Sequence, residues 1–263
     1  MKYKTLKVDI HSDIGYLSLN RPKVHNAING EMIIEFLDAL NQLKETQIRV
    51  LILQGEGNSF CSGADVNYMK ALGEMDETQN IHEAKKLAEL LYNLYYFPKP
   101  TIAIAKGNVY GGGIGVLGCC DFSFCTTNTV FAFSEIKLGL IPSVISPYII
   151  RRIGVSKTKE LFLSGRKFDS FEAEKIGLVT KALNEKDLEQ EVQLLISELF
   201  KTAPNVVIEV KMLIEENLRN LDLQTIQEYT SSLLAKIRKG EEAKEGLKSF
   251  LEKKKPNWYK EPK

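Results

Sequence analysis

A surplus of either charge is missing from this chain: 35 Lys and Arg stand against 34 Asp and Glu over 263 residues, a formal net charge of +1. Without a basic or acidic excess there is no long-range field to gather nucleic acid, an anionic membrane or a cationic partner, which excludes a purely electrostatic binder. A long apolar run is missing too. The longest uncharged stretch in the middle of the chain, Gly107–Cys120, has 14 residues, six of them glycine, short of the about 20 apolar residues that span a bilayer. Met1 to Lys7 carries lysines but no apolar segment before Asp9. Neither a secretory signal nor an Arg-rich transit peptide is read there, and a cytoplasmic location is expected. Cysteine and histidine are few: Cys61, Cys119, Cys120 and Cys125, with His11, His25 and His82, form no paired ligand spacing. The cysteines read as reduced, buried small residues, and no metal is expected.

What is present is alternating periodicity. Tyr3–Ile10 and Gly15–Leu19 alternate apolar and polar residues around a short turn, which predicts a β-hairpin. Asn29 is a candidate N-cap for a helix whose Ile33, Phe36, Leu37, Leu40 and Leu43 share one face. Arg49–Leu53 reads as a strand, Leu87–Leu94 as a second amphipathic helix ended by Pro98 and Pro100, and Thr101–Ala105 as the next strand. A helix is expected from about Gly111, then two short strands, Phe122–Cys125 and Val130–Phe133. From about Ser156 the pattern turns helical and strands are expected to have nearly run out, with Pro204 opening a helix at its favoured first turn. No low-complexity linker divides the chain, so an α/β core over residues 1–200 with a helical C-terminal region over 201–263 is expected.

Three segments carry chemistry because they set glycine and unpaired amides where strands end and helices begin. Ser59–Val66 follows a strand; its small residues permit close approach of a ligand, and the Ala64 amide is a candidate anion donor, while by itself the segment also reads as a plain turn and helix start with Asp65 as a local cap. Gly107–Gly115 places Gly111, Gly112 and Gly113 at a helix start, where amides hold developing negative charge. Gly113, Gly115 and Gly118 also satisfy a dinucleotide-binding glycine pattern. The short helix and the two strands before Glu135 do not fit the crossover that such a unit requires, so a nicotinamide enzyme is set aside. Phe133–Pro142 carries Glu135 between an apolar strand and a nearly uncharged stretch. Its carboxyl is either partly desolvated and suited to proton transfer, or paired with Lys137 or Arg151.

Together the runs Leu19-Asn20-Arg21-Pro22 with His25-Asn26-Ala27, Phe60–Asp65, Gly111–Gly113 and Ser134–Pro142 resemble the enoyl-CoA hydratase/isomerase (crotonase) superfamily, in order and spacing across nearly the whole chain. Ala64–Met69 and Ile141–Tyr148 look most similar to bacterial hydratases of the methylglutaconyl-CoA type. The resemblance implies a spiral of ββα units with C-terminal helices that assemble a homotrimer or a dimer of trimers. It implies an acyl-CoA substrate, with coenzyme A as part of that substrate and no other cofactor. The amides of Ala64 and Gly112 would form an oxyanion hole and Glu135 would transfer the proton. Lys23, Val24 and Ala27, with Ser62, Gly63, Asp65, Val66 and Gly111, would line the CoA site, and Arg21 and Lys23 would meet phosphate. The family's second glutamate falls on Gly115, and Ser143, an acid in certain isomerases and dehalogenases, is also non-acidic.

The function expected is therefore reversible hydration of an enoyl-CoA. An enoyl-CoA isomerase or a polyketide β-branching dehydratase or decarboxylase is the alternative among enzymes. A non-catalytic or RNA-binding relative is the alternative of another class, against which the near-neutral charge argues. Gly115 is expected to leave room beside the thioester β-carbon. That predicts a branched acyl group whose distal carboxylate meets Lys70 or Arg152, with Tyr68–Asn80 as the determinant of acyl choice.

Overall fold

The computed structural model describes residues 2–219 and 222–261. β1 (Leu6–His11) and β2 (Ile14–Leu19) form the expected antiparallel hairpin. They turn through Ser12 and Asp13, both at positive φ, the pair of left-handed residues that a two-residue hairpin loop demands. α1 (Gly30–Lys44) begins where Asn29 accepts from Met32 N, and buries Met32, Ile33, Phe36, Ala39, Leu40 and Leu43. Each such fully buried large side chain contributes about 1.5–3 kcal/mol. β3 (Val50–Gly55) follows, then α2 (Val66–Gly73), α3 (Glu77–Tyr95) and β4 (Thr101–Ala105). β5 (Asn108–Tyr110), α4 (Gly112–Cys119), β6 (Phe122–Thr126) and β7 (Val130–Ala132) lead to a 3-10 turn at Ser134–Leu138. The rest is α5 (Ser146–Ser164), β8 (Lys167–Asp169), α6 (Ser170–Lys175), β9 (Lys181–Leu183), α7 (Glu185–Leu199), α8 (Pro204–Arg219), α9 (Leu223–Lys239) and α10 (Glu241–Leu251).

Six strands form one sheet in the order β1-β2-β3-β4-β6-β9, parallel from β2 onward, and β5-β7-β8 form a second. Val50–Leu53 of β3 is buried throughout, as a parallel strand covered on both faces should be. The strands flanking the turn at Thr126–Thr129 do not pair with each other. Thr127 N donates to Leu183 O and Val130 N to Gly107 O, which sends β6 and β7 into different sheets. β5, β8 and β9 escape the sequence reading because three residues carry no periodicity. Their strand form comes from partners distant in sequence.

By internal contacts the chain divides between Val192 and Gln193, inside α7. The second unit leaves Leu223, Phe250 and Leu251 more than three-quarters exposed. Among the described residues no helix is long and apolar enough to cross a membrane.

Candidate active site

The three glycine-bearing segments meet at one cleft of about 720 Å³, a size that suits a small-molecule ligand. Hydrogen bonding explains why two amides are left for that cleft. Ile28 pairs with the Ala64 segment through Ile28 N to Gly63 O and Asp65 N to Ile28 O, both 2.8 Å, so the flanking residues make the bonds and Ala64 N makes none. Cys61 bridges Val109, Tyr110 N donates to Cys61 O at 2.9 Å, and Gly111 N to Ala132 O at 3.0 Å. Gly112, the first residue of α4, therefore presents an N–H at the helix start, and among the described residues neither it nor Ala64 N has a protein acceptor. Two such amides can hold the oxygen of a polarised carbonyl.

Glu135 reaches the same cleft from the 3-10 turn. Its Oε2 is buried without a hydrogen-bond partner, and neither Lys137 nor Arg151 pairs with it. Burial pushes its carboxyl above the ordinary glutamate range, with a bond to its own backbone pulling weakly the other way. Gly111 explains how the carboxyl fits. A β-carbon there would lie 2.7 Å from Glu135 Oε1, and φ of +46° with ψ of −116° is a conformation that side chains avoid. The glycine run thus serves the approach of the acid as well as that of a ligand.

Ser62, Gly63, Ala64, Val66, Gly111, Gly112 and Glu135 line the cleft, whereas Arg21, Lys23, Val24, Ala27 and Asp65 do not. Arg21 and Asp65 pair with each other beside it. Arg21 Nη1 lies 2.9 Å from Asp65 Oδ2 and donates to Ala27 O, while Asp65 Oδ1 accepts from Asn67 N and Tyr68 N at the start of α2. The pair is a clamp that holds the Ala64 segment through Arg21 Nη1. Ala27 is buried beside it, and Lys23 and Val24 are exposed on the turn Pro22–Val24. Asn26 ties the region down by accepting from Arg21 N and donating to Glu56 O and Ser59 O. The four cysteines are buried and form no disulfide, with burial pushing the Cys61 thiol up to about 12.

The expected space at Gly115 is also corrected. A β-carbon on Gly115 would stand 3.0 Å from Ile145 Cβ, so Ile145, itself a lining residue, already fills that side. Gly118 does the same for Ile149, one turn along α5, which makes Gly115 and Gly118 packing glycines for a helix contact. Nor do the two proposed carboxylate receptors serve. Arg152 donates to Leu178 O at 2.7 Å and Cys120 O at 2.6 Å, and Lys70 is not among the lining residues. Tyr68, Met69, Leu72, Glu77 and Asn80, from the stretch expected to determine acyl choice, line the cleft, and the residues that sequence reasoning missed are Ile145 at the cap of α5 and Glu83 and Leu87 of α3. Only the amphipathic period of α3 hinted at Leu87.

A family model described as enoyl-CoA hydratase/isomerase matches residues 9–261. The crystal structure of an enoyl-CoA hydratase from Shewanella pealeana superposes with a TM-score of 0.95 at 34% identity, covering 98% of this chain and 97% of that one. Pseudomonas aeruginosa AtuE superposes at 0.93 with 27% identity over 98% of this chain and all of its own (100%). A crotonyl-CoA hydratase of Syntrophomonas wolfei is 28% identical over 98% of this chain and 99% of that protein.

Proposed function

The chain belongs to the enoyl-CoA hydratase/isomerase family, and on that premise we propose that it adds water reversibly to the double bond of an enoyl-CoA, with Glu135 moving the proton and the amides of Ala64 and Gly112 holding the thioester oxygen. The observation that carries this reading is a buried carboxyl oxygen without a partner in the same cleft as two unpaired amides.

In the forward direction Glu135, ionised, takes a proton from water as the oxygen bonds to the β-carbon. The displaced electron pair moves through the α-carbon to the thioester oxygen, giving an enolate. Two directed N–H groups in a cleft with apolar walls stabilise that charge; removal of a single such donor elsewhere costs about 3–4 kcal/mol. Glu135, now protonated, delivers the proton to the α-carbon, the enolate collapses and the carboxylate is regenerated. A raised pKa suits this double role because it makes the carboxylate a better base while keeping the acid form accessible.

Coenzyme A enters as part of the substrate, along Ser62, Gly63 and Val66. We assign the exposed Lys23 and Val24, outside the cleft, to the portion of CoA beyond the thioester. The exposed Leu223, Phe250 and Leu251 support assembly of the C-terminal helices into a trimer or a dimer of trimers. Isomerisation by a single acid is the second reading. It is favoured by Ile145, which fills the side where the family's second glutamate would project.

The deciding experiment is incubation with neutral enoyl-CoA thioesters in heavy-oxygen water. Hydration gives a 3-hydroxyacyl product carrying the label, and a shifted double bond without label would replace hydration by isomerisation.

A further inference from the structure

The walls of the cleft indicate which acyl groups it receives. Val66, Met69, Leu72, Ile81, Ala84 and Leu87 face it from α2 and α3. The ionisable carboxyls that line it are Glu77, Glu83 and Glu135, and none of its lining residues is lysine, arginine or histidine. Lys86, beside the wall on α3, is already engaged: its Nζ lies 2.6 Å from Glu83 Oε1. Two side-chain donors on this wall are engaged as well. Tyr68 hydroxyl donates to Glu83 Oε2 at 2.8 Å, and Asn80 Nδ2 donates to Leu72 O at 2.9 Å and Met75 O at 3.0 Å. A carboxylate carried into this wall would lose water, meet no lysine, arginine or histidine, and stand beside Glu77 and Glu83, whereas an aliphatic chain would gain burial.

We propose that the cleft selects CoA thioesters with uncharged, aliphatic acyl chains and rejects those whose acyl chain ends in a carboxylate. This rests on the assignment of the cleft to an acyl-CoA, and it replaces the branched diacid expected from the sequence. That expectation needed a cation at Lys70 or Arg152, and the wall contains neither.

The test uses saturated thioesters, which undergo no hydration, so binding is read apart from turnover. Calorimetry on the native protein compares hexanoyl-CoA, adipyl-CoA and the terminal methyl ester of adipyl-CoA. The expected order is hexanoyl-CoA tighter than adipyl-CoA by at least about tenfold in Kd, with the ester closer to hexanoyl-CoA than to the free acid. A smaller ratio overturns the proposal. An ester that binds as weakly as the acid overturns it as well, because length and not charge would then be rejected, and so does failure of all three to bind. If the binding order holds while enoyl-CoA acquires no label from heavy-oxygen water, the hydration reading alone falls.

Discussion

Gly115 and Ile145 interlock: a β-carbon on the glycine would stand 3.0 Å from the isoleucine Cβ, so neither residue can grow without displacing the other. The cleft that Glu135 lines is therefore apolar at Ile145, and no second carboxylate can be added at position 115 by simple substitution.

Gly115→Glu alone is expected to destabilise the protein by about 1–3 kcal/mol or more through overpacking, seen as a lower Tm, with no gain in hydration. Combining it with Ile145→Ala opens the space. The double variant should regain much of the lost Tm and hydrate crotonyl-CoA faster than Gly115→Glu. A single variant as stable as the parent would show that Ile145 yields freely.

Glu135→Gln preserves shape and removes the titrating group. Turnover should fall at least about a hundredfold with a modest change in KM. Stability should move the other way. At low pH Glu135 is protonated in both folded and unfolded chains, and the substitution changes little. As pH rises the unfolded chain ionises first, because the native carboxyl titrates higher, so the parent loses stability up to its native pKa while the glutamine variant does not. The variant's Tm advantage should therefore grow with pH and then level. A Tm difference independent of pH would contradict the desolvated carboxyl.

Gly111→Ala places a methyl group 2.7 Å from Glu135 Oε1 on a backbone at φ +46°. Strain of about 1–3 kcal/mol and displacement of the carboxyl should lower kcat at least about tenfold. Circular dichroism checks that the fold survives, and parental kcat in a folded variant would separate Gly111 from the acid's placement.

Gly112 allows two substitutions to be set against each other. A β-carbon there meets only Ile28 Cδ1, at 3.3 Å, so Gly112→Ala should fold and retain most activity. Gly112→Pro deletes the N–H at a helix position where proline is otherwise tolerated, and turnover should be lost. Equal activity in a folded proline variant, its assembly checked by light scattering, would exclude this amide from oxygen binding.

Asp65→Ala removes the α2 cap and strands Arg21. Burial acts to raise the Asp65 carboxyl, but the Arg21 hydrogen bond and charge, with the amides of Tyr68 and Asn67, outweigh it and hold the group below the usual range. Its contribution is present above the unfolded pKa and is lost as pH falls through the native one. The substitution should cost about 2–4 kcal/mol at neutral pH by chemical denaturation and less in acid. An equal cost at both ends would mean that packing and not charge is at stake.

Local signals made the hairpin, the Asn29-capped helix and strands β3 and β4 legible, since each depends on periodicity or a cap contained within its own residues. Ala64, Gly112 and Glu135 were legible as candidates through motif spacing, because amide exposure and acid placement follow from glycine at particular turns. Whether Glu135 is paired, what Arg21 binds, whether Gly115 borders space and what charge the acyl wall bears were not legible. Each depends on side chains brought together from distant segments: Glu135 beside Gly111, Arg21 on Asp65, Ile145 against Gly115, Lys86 and Tyr68 on Glu83. The sequence by itself determined the elements and the reactive groups, since those are properties of neighbouring residues. Only the tertiary structure decided which cations were already committed and which glycine gap was already filled, because hydrogen bonds and volume are settled by whatever folds alongside.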